Sequence, residues 1–222
     1  MSIILPVLNE ADNLACLGRS PNRNLPGVEW IVVDGGSQDD SVGIAETWAD
    51  QVVTGFRGRA AQMNAGASSA RGRALLFLHA DTRLPGNFAD FVETLGRESP
   101  LWGFFPVELQ PGSPMLRVIA RMMNWRSRLT SVATGDQTIF IRRDVFQRVD
   151  GYPPLPLMED VAISKQLRKL AKPYIWPSPV VSSSRRWQQA GVIRTMVLMW
   201  YLRLLFVLGV SPTTLHKRYY GS

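Results

Sequence analysis

The stretch Val28-Glu-Trp-Ile-Val-Val-Asp34-Gly-Gly-Ser-Gln-Asp-Asp40 decides the fold. Residues 28–33 are a short, largely apolar run of strand length. Asp34 stands where the run ends, ahead of the turn Gly35-Gly36-Ser37 and a helical pattern over 42–49. A run without polar alternation is buried on both faces, as strands are in parallel sheets sandwiched between helices. The same unit repeats outward in both directions. Upstream, residues 3–7 read as a strand and 11–17 as a helix. Downstream, 51–54 and 74–78 read as strands, with helices over 60–70 and 87–95. Strands alternating with helices predict an α/β fold built on a mostly parallel sheet flanked by helices.

Beyond Pro100 the order loosens. Residues 104–109 and 138–141 read as strands, and 115–129 and 161–170 as helices, with no internal repeat or long linker. The reading is of two fused halves around one sheet.

Charge is distributed unevenly along the 222 residues. The net charge is +7, but all 18 acidic residues lie at or before Asp160. The first 160 residues carry −3 and the remainder +10. A hydrophobic content of 45% supplies a full core and excludes disorder. Cys16 is the only cysteine, which excludes a disulfide framework or a cysteine metal cluster. No helix-turn-helix or zinc pattern accompanies the basic residues, so nucleic acid is not the expected partner. The chain opens Met1-Ser-Ile-Ile-Leu-Pro6 without a basic leader, which leads to the expectation of a cytoplasmic protein. No window reaches the roughly 18 uncharged apolar residues of a membrane span. Residues 195–210 come nearest and are interrupted by Arg203. With Arg194, Trp200 and Tyr201, that segment has two readings. One is a helix lying peripherally on the inner membrane face; the other is a buried or homodimer-forming helix.

Ligands of open α/β sheets bind beyond the carboxyl ends of the strands. Those ends carry Pro6, Asn9 and Glu10, then Asp34 and Gly36, then His79, Ala80 and Asp81. Carboxylates gathered on one edge repel unless a cation or hydrogen-bond donors stand among them. Asp34 beside glycines suits ribose hydroxyls or a base. Asp81 is a natural oxygen ligand for Mg2+ or Mn2+ bridging phosphates, and His79 is a second candidate ligand. Arg59, next to Gly58 at the mouth of a helix and on the same turn as Gln62, suits a diphosphate. Glu159 and Asp160 follow a proline-rich loop and supply a candidate general base, with Gly135-Asp136-Gln137 as a further cleft wall.

These segments, in this order, resemble family 2 glycosyltransferases with the GT-A fold. Pro6-Val7-Leu8-Asn9-Glu10 matches the family's P-x-x-N-E. Residues 32–39 match its V-V-D-D-G-S-x-D with Gly35 for the second Asp. His79-Ala80-Asp81 stands at its D-x-D metal motif with His for the first Asp, and Glu159-Asp160 stands at its E-D base motif. The chain is also similar to a compact subgroup described as arsenosugar-biosynthesis or radical-SAM/selenodomain-associated glycosyltransferases, through Leu78-His-Ala-Asp-Thr82 and Arg185-Arg186-Trp187.

The resemblance implies a GT-A domain over 1–187, with a nucleotide-binding half of about 1–99 and an acceptor half of about 100–187. A basic, apolar helical segment over 188–222 follows. It implies inverting, non-processive transfer of a sugar from a nucleotide-diphosphate donor, most often a UDP-sugar, with Mg2+ or Mn2+ on the diphosphate. Asp34 is expected on the nucleotide, Asp81 on the metal, Arg59, Arg186 and Trp187 on the donor, and Asp160 at the acceptor hydroxyl. The acceptor stays open between a small metabolite, a lipid and a glycan. Two rivals stay open as well. One is a nucleotidylyltransferase, although no G-x-G-x-R-type loop follows the first strand. The other is a non-catalytic nucleotide-sugar-binding protein, favoured by His79 and Gly35.

Overall fold

The structure is a computed structural model describing residues 1–220, with the side chains of Arg186, Ala190 and Tyr220 outside the description. In chain order the strands are β1 (Ser2–Val7), β2 (Glu29–Asp34), β3 (Gln51–Val53), β4 (Ala74–Phe77), β5 (Thr82–Arg83), β6 (Trp102–Phe104), β7 (Val107–Gln110), β8 (Ile139–Arg142), β9 (Tyr174–Ile175) and β10 (Val180–Ser183). The helices are α1 (Ala11–Gly18), α2 (Ser41–Glu46), α3 (Arg59–Ser69), α4 (Phe88–Glu98), α5 (Pro114–Thr130), α6 (Arg143–Arg148), α7 (Glu159–Leu167), α8 (Arg185–Ala190), α9 (Val192–Val207) and α10 (Pro212–Tyr220).

Seven strands form the main sheet in the order β3-β2-β1-β4-β8-β6-β9. β3, β2, β1 and β4 run parallel, as the alternation predicts, and β8 pairs antiparallel with both β4 and β6. Successive residues of the central strands serve opposite faces. Ile3, Leu5, Val7, Trp30 and Val32 face a core built with α1, α2, α4 and α5, while Ile4, Ile31 and Val33 face one built with α3, α6 and α7. The expected α/β sandwich is therefore present, and the sheet carries helices on both sides.

Three features depart from the expected pattern. The run 104–109 is not one strand. β6 belongs to the main sheet and β7 to a second sheet, β5-β10-β7, with Phe105-Pro106 between them. Proline has no N–H to continue a ladder, so the chain changes sheets there. The two-residue strands β5 and β9 are too short to leave a periodic signal. β10, the third, ties the C-terminal part back to the strand-end turn: Ser182 pairs with Thr82, and the Ser183 amide donates to the Asp81 carbonyl (3.2 Å).

A third apolar cluster lies outside both faces. It joins Met158 and Val161 to Leu202 of α9 and Leu215 of α10, all buried. Helix α9 thus packs directly beside the start of α7, which carries Glu159 and Asp160. No helix among the described residues is long and apolar enough to cross a membrane.

Candidate active site

The ends of β1 and β2 are stitched together before any ligand is considered. Asp34 is buried, and its carboxylate accepts the backbone N–H groups of Gly36 (2.8 Å) and Ser37 (3.1 Å), which shapes the turn after β2. Asn9, held at φ 55°, accepts from the Gln38 amide (2.8 Å) and donates its own N–H to the Ser37 hydroxyl (2.9 Å). The Asp39 carboxylate accepts from the Ala11 amide (3.1 Å), and the Ser41 hydroxyl accepts from the Glu10 amide (2.8 Å). The first two candidate segments form one rigid surface over the sheet edge, with Pro6 paired to Val33 within it.

Two residues assigned to the donor from sequence have other partners. Gln62 is buried, and its amide donates to the carbonyls of Val7 and Val33, both at 2.8 Å. It straps the ends of β1 and β2 together from beneath and does not face a cleft. The Glu10 carboxylate accepts from the Asn13 side chain (2.5 Å), closing its own helix start.

Next to this edge lies a cavity of about 450 Å³. Its polar wall brings together Arg59, His79, Asp81, Gly135, Asp136, Glu159 and Asp160 from four separate segments. Arg59 opens α3 behind Gly58, whose φ of 101° only glycine adopts without strain. The Arg59 Nε lies 3.3 Å from the Glu159 carboxylate, which is 4% exposed against 44% for the arginine. A second guanidinium nitrogen of Arg59 bonds His79 Nε2, and His79 Nδ1 lies 3.6 Å from Asp136. Guanidinium donates only, so Nε2 is the acceptor of that bond. His79 therefore lies between Arg59 and Asp136, with Nε2 on the arginine. Gly135 lies close against both, since a Cβ there would sit 2.5 Å from Arg59 Nη2 and 2.7 Å from the His79 ring.

Asp160 has a perturbed carboxyl. One oxygen accepts the Gly135 amide and the other the Val161 amide, each at 2.7 Å. Loss of solvent and the adjacent Glu159 charge push its pKa up to about 6, against the opposing pull of Arg59 and the two amides. The loop before it is anchored across the molecule. The Asn64 side chain accepts the Tyr152 amide (2.9 Å) and donates to the Tyr152 carbonyl (2.8 Å). Burial and the charges of Asp160 and Glu159 hold the Tyr152 phenol in its neutral form well past its usual range.

The opposite wall is apolar and was largely missed from sequence. Met122, Met123 and Trp125 of α5, Trp187 of α8, and Met196, Met199 and Trp200 of α9 line it. Arg126 of α5 joins them, its pKa lowered by burial and raised by Asp160 and Asp136, with its Nε unpartnered among the described residues. Nothing in the pattern of α5 separates Arg126 from its solvent-facing arginines. Trp187 lines the cavity, whereas the Arg186 side chain lies outside the described residues. Ala80 is buried beside Asp81 at the end of β4.

A divalent cation fits at Asp81 in a limited sense. The Asp81 carboxylate lines the cavity and accepts only a 3.4 Å contact from Thr82. No group of three or more His, Cys, Asp or Glu is placed to hold a metal ion among the described residues. Magnesium-type sites with one protein carboxylate, completed by substrate phosphates and water, are of this kind.

Comparison with known proteins bears on the family and the fold. Curated proteins of Mycobacterium bovis and Mycobacterium tuberculosis, each named PGL/p-HBAD biosynthesis glycosyltransferase, are 32% identical over 168 residues. The match takes in 68% of this chain and 62% of theirs, so the chain spans less than two thirds of their length. Among solved structures, S. aureus TarS 1-349 in complex with UDP-GlcNAc superposes with a TM-score of 0.66 at 18% identity, over 83% of this chain and 58% of that one. The mannosyltransferase PcManGT from Pyrobaculum calidifontis, in complex with GDP-Man and Mn2+, gives 0.64 at 20% identity, over 82% and 55%. Likeness at this identity establishes the shared GT-A fold. The family described as Glycosyl transferase family 2 matches residues 2–149, which takes in the stitched strand ends, the His79-Ala80-Asp81 turn and Gly135. On that match the chain belongs to glycosyl transferase family 2.

Proposed function

We propose that the protein transfers a sugar from a nucleotide-diphosphate donor to an acceptor hydroxyl with inversion at the anomeric carbon. The observation that carries this reading is Asp160, a carboxyl with a pKa near 6 on the wall of a cavity that also holds Arg59 and Asp81. In one displacement the acceptor oxygen bonds to the anomeric carbon as the bond to the diphosphate oxygen breaks. The hydroxyl proton passes to Asp160, and the electron pair leaves with the diphosphate. The two backbone amides orient Asp160, each leaving a lone pair on its carboxylate oxygen. Glu159 acts as a positioning residue, since it is buried against Arg59 and raises the basicity of Asp160.

Asp34 and the stitched loops of Asn9 and Gly36 are assigned to the nucleoside, and Arg59 and Trp187 to the donor beyond it. A cation on Asp81, when bound, supplies positive charge to the departing diphosphate, and Arg59 supplies further charge to the same group. The neighbours bound to UDP-GlcNAc and to GDP-Man with Mn2+ support a nucleotide-sugar donor and a divalent cation. The test is a thermal-shift series with UDP, GDP and their sugars, with and without Mn2+. A nucleotide that binds the folded chain raises its melting temperature by linkage. The reading fails if no nucleotide produces a shift.

A further inference from the structure

Of the large apolar side chains left exposed, most lie on two helices. On α5 they are Met115, Val118, Met122, Trp125 and Leu129, spaced three and four apart. On α9 they are Ile193, Val197, Trp200, Tyr201, Leu204 and Val207, again on one side. Leu198, Leu202, Leu205 and Phe206 of α9 pack inward on Met158 and Val161. The helix is thus apolar all round, while the protein covers only half of it. Such a helix is normally buried on every side. The exposure is large, reaching 67% at Trp125 and 68% at Val207.

The two stripes form one surface. Met115 and Ile193 share a shallow groove at one end, and Met122, Trp125 and Trp200 all line the main cavity farther along. The charge beside the stripes has one sign. Exposed Arg117, Arg121 and Arg128 run along α5 next to its apolar row, and Arg194, Lys217 and Arg218 are exposed on α9 and α10. Neither α5 nor any position after Asp160 holds an acidic residue. A second copy of this chain would bring cation against cation across such a face. An anionic bilayer complements it, with arginines at the headgroups and Trp, Leu, Met and Val in the acyl boundary.

We propose that the paired exposed faces of α5 and α9 dock the protein on an anionic lipid surface, which places the cavity mouth at that surface. The docking does not depend on the transferase reading. The test is co-sedimentation of the full chain with phosphatidylcholine vesicles containing phosphatidylglycerol, against phosphatidylcholine alone. Binding to the anionic vesicles is expected to exceed the neutral ones by roughly tenfold or more and to fall as salt rises. Val118→Glu with Leu204→Glu, both outside the cavity lining, is expected to weaken binding by a similar factor. Arg117→Gln with Arg121→Gln weakens it without placing charge in an apolar row, and so serves if the first pair fails to fold. Equal or absent binding to both vesicles overturns the proposal. So does a dimer, seen by light scattering, that either variant pair dissociates, because a second copy then covers the face. A nucleotide shift without vesicle binding refutes only the docking, and vesicle binding without a nucleotide shift refutes only the transferase reading.

Discussion

Asp160 and Glu159 are neighbours in sequence with separate duties, and their difference can be measured. With the Asp160 pKa near 6, the base is protonated and idle below that pH, so kcat/KM is expected to rise through about pH 6 as the carboxylate forms. Asp160→Asn is expected to lower kcat by about 10²-fold or more while the nucleotide-induced thermal shift persists. Glu159→Gln removes the like charge that raises the Asp160 pKa and releases Arg59 toward it, so the acid limb of the profile should move to lower pH. An unmoved limb would assign the titration to another group. At this scale, Asp160, Asp81 and Arg59 could be named as candidates because they stand at a strand end or helix start, and the fold gathers all three on one cavity. The contacts of His79 and Gln62 could not be read for one reason: Arg59, Asp136 and the carbonyls of Val7 and Val33 are distant in sequence.

The elements owe their positions to close packing and to a few cross-chain straps. Helix α3 lies flat on the sheet at Gly66, where a Cβ would come within 2.5 Å of Ile4 and 2.9 Å of Val33. Gly66→Ala is therefore expected to cost about 1–3 kcal/mol of unfolding free energy in urea titration, despite the better helix propensity of alanine. Gln62→Leu removes a donor from the buried Val7 and Val33 carbonyls, the first of which keeps the Gly35 amide, and is expected to cost roughly 1–3 kcal/mol by the same measurement. The β-α alternation through residue 98 was legible because each strand is an apolar run and each helix has its own period. The break at Pro106 and the strands β5, β9 and β10 were not, since two to four residues paired across long separations carry no periodicity of their own.

At the scale of the molecule, the C-terminal helices complete the site from outside the matched family region. Leu202 of α9 and Leu215 of α10 are fully buried against Met158 and Val161, which flank the carboxylate pair. Leu202→Ala is expected to lower stability by about 2–5 kcal/mol, read as a shift of the urea midpoint. The sequence by itself determined the α/β class, the order of its first strands and the strand-end carboxylates. It also showed the split between a −3 body and a +10 remainder. Those features are local: apolar runs, turn residues and charge need no distant partner to be read. Only the tertiary structure decided that α5 and α9 face one cavity, that Arg126 belongs to it, and that both helices leave apolar rows uncovered. Helical period shows that a helix has an apolar side. Which sides are covered depends on contacts between residues some eighty positions apart, and those exist only in the folded chain.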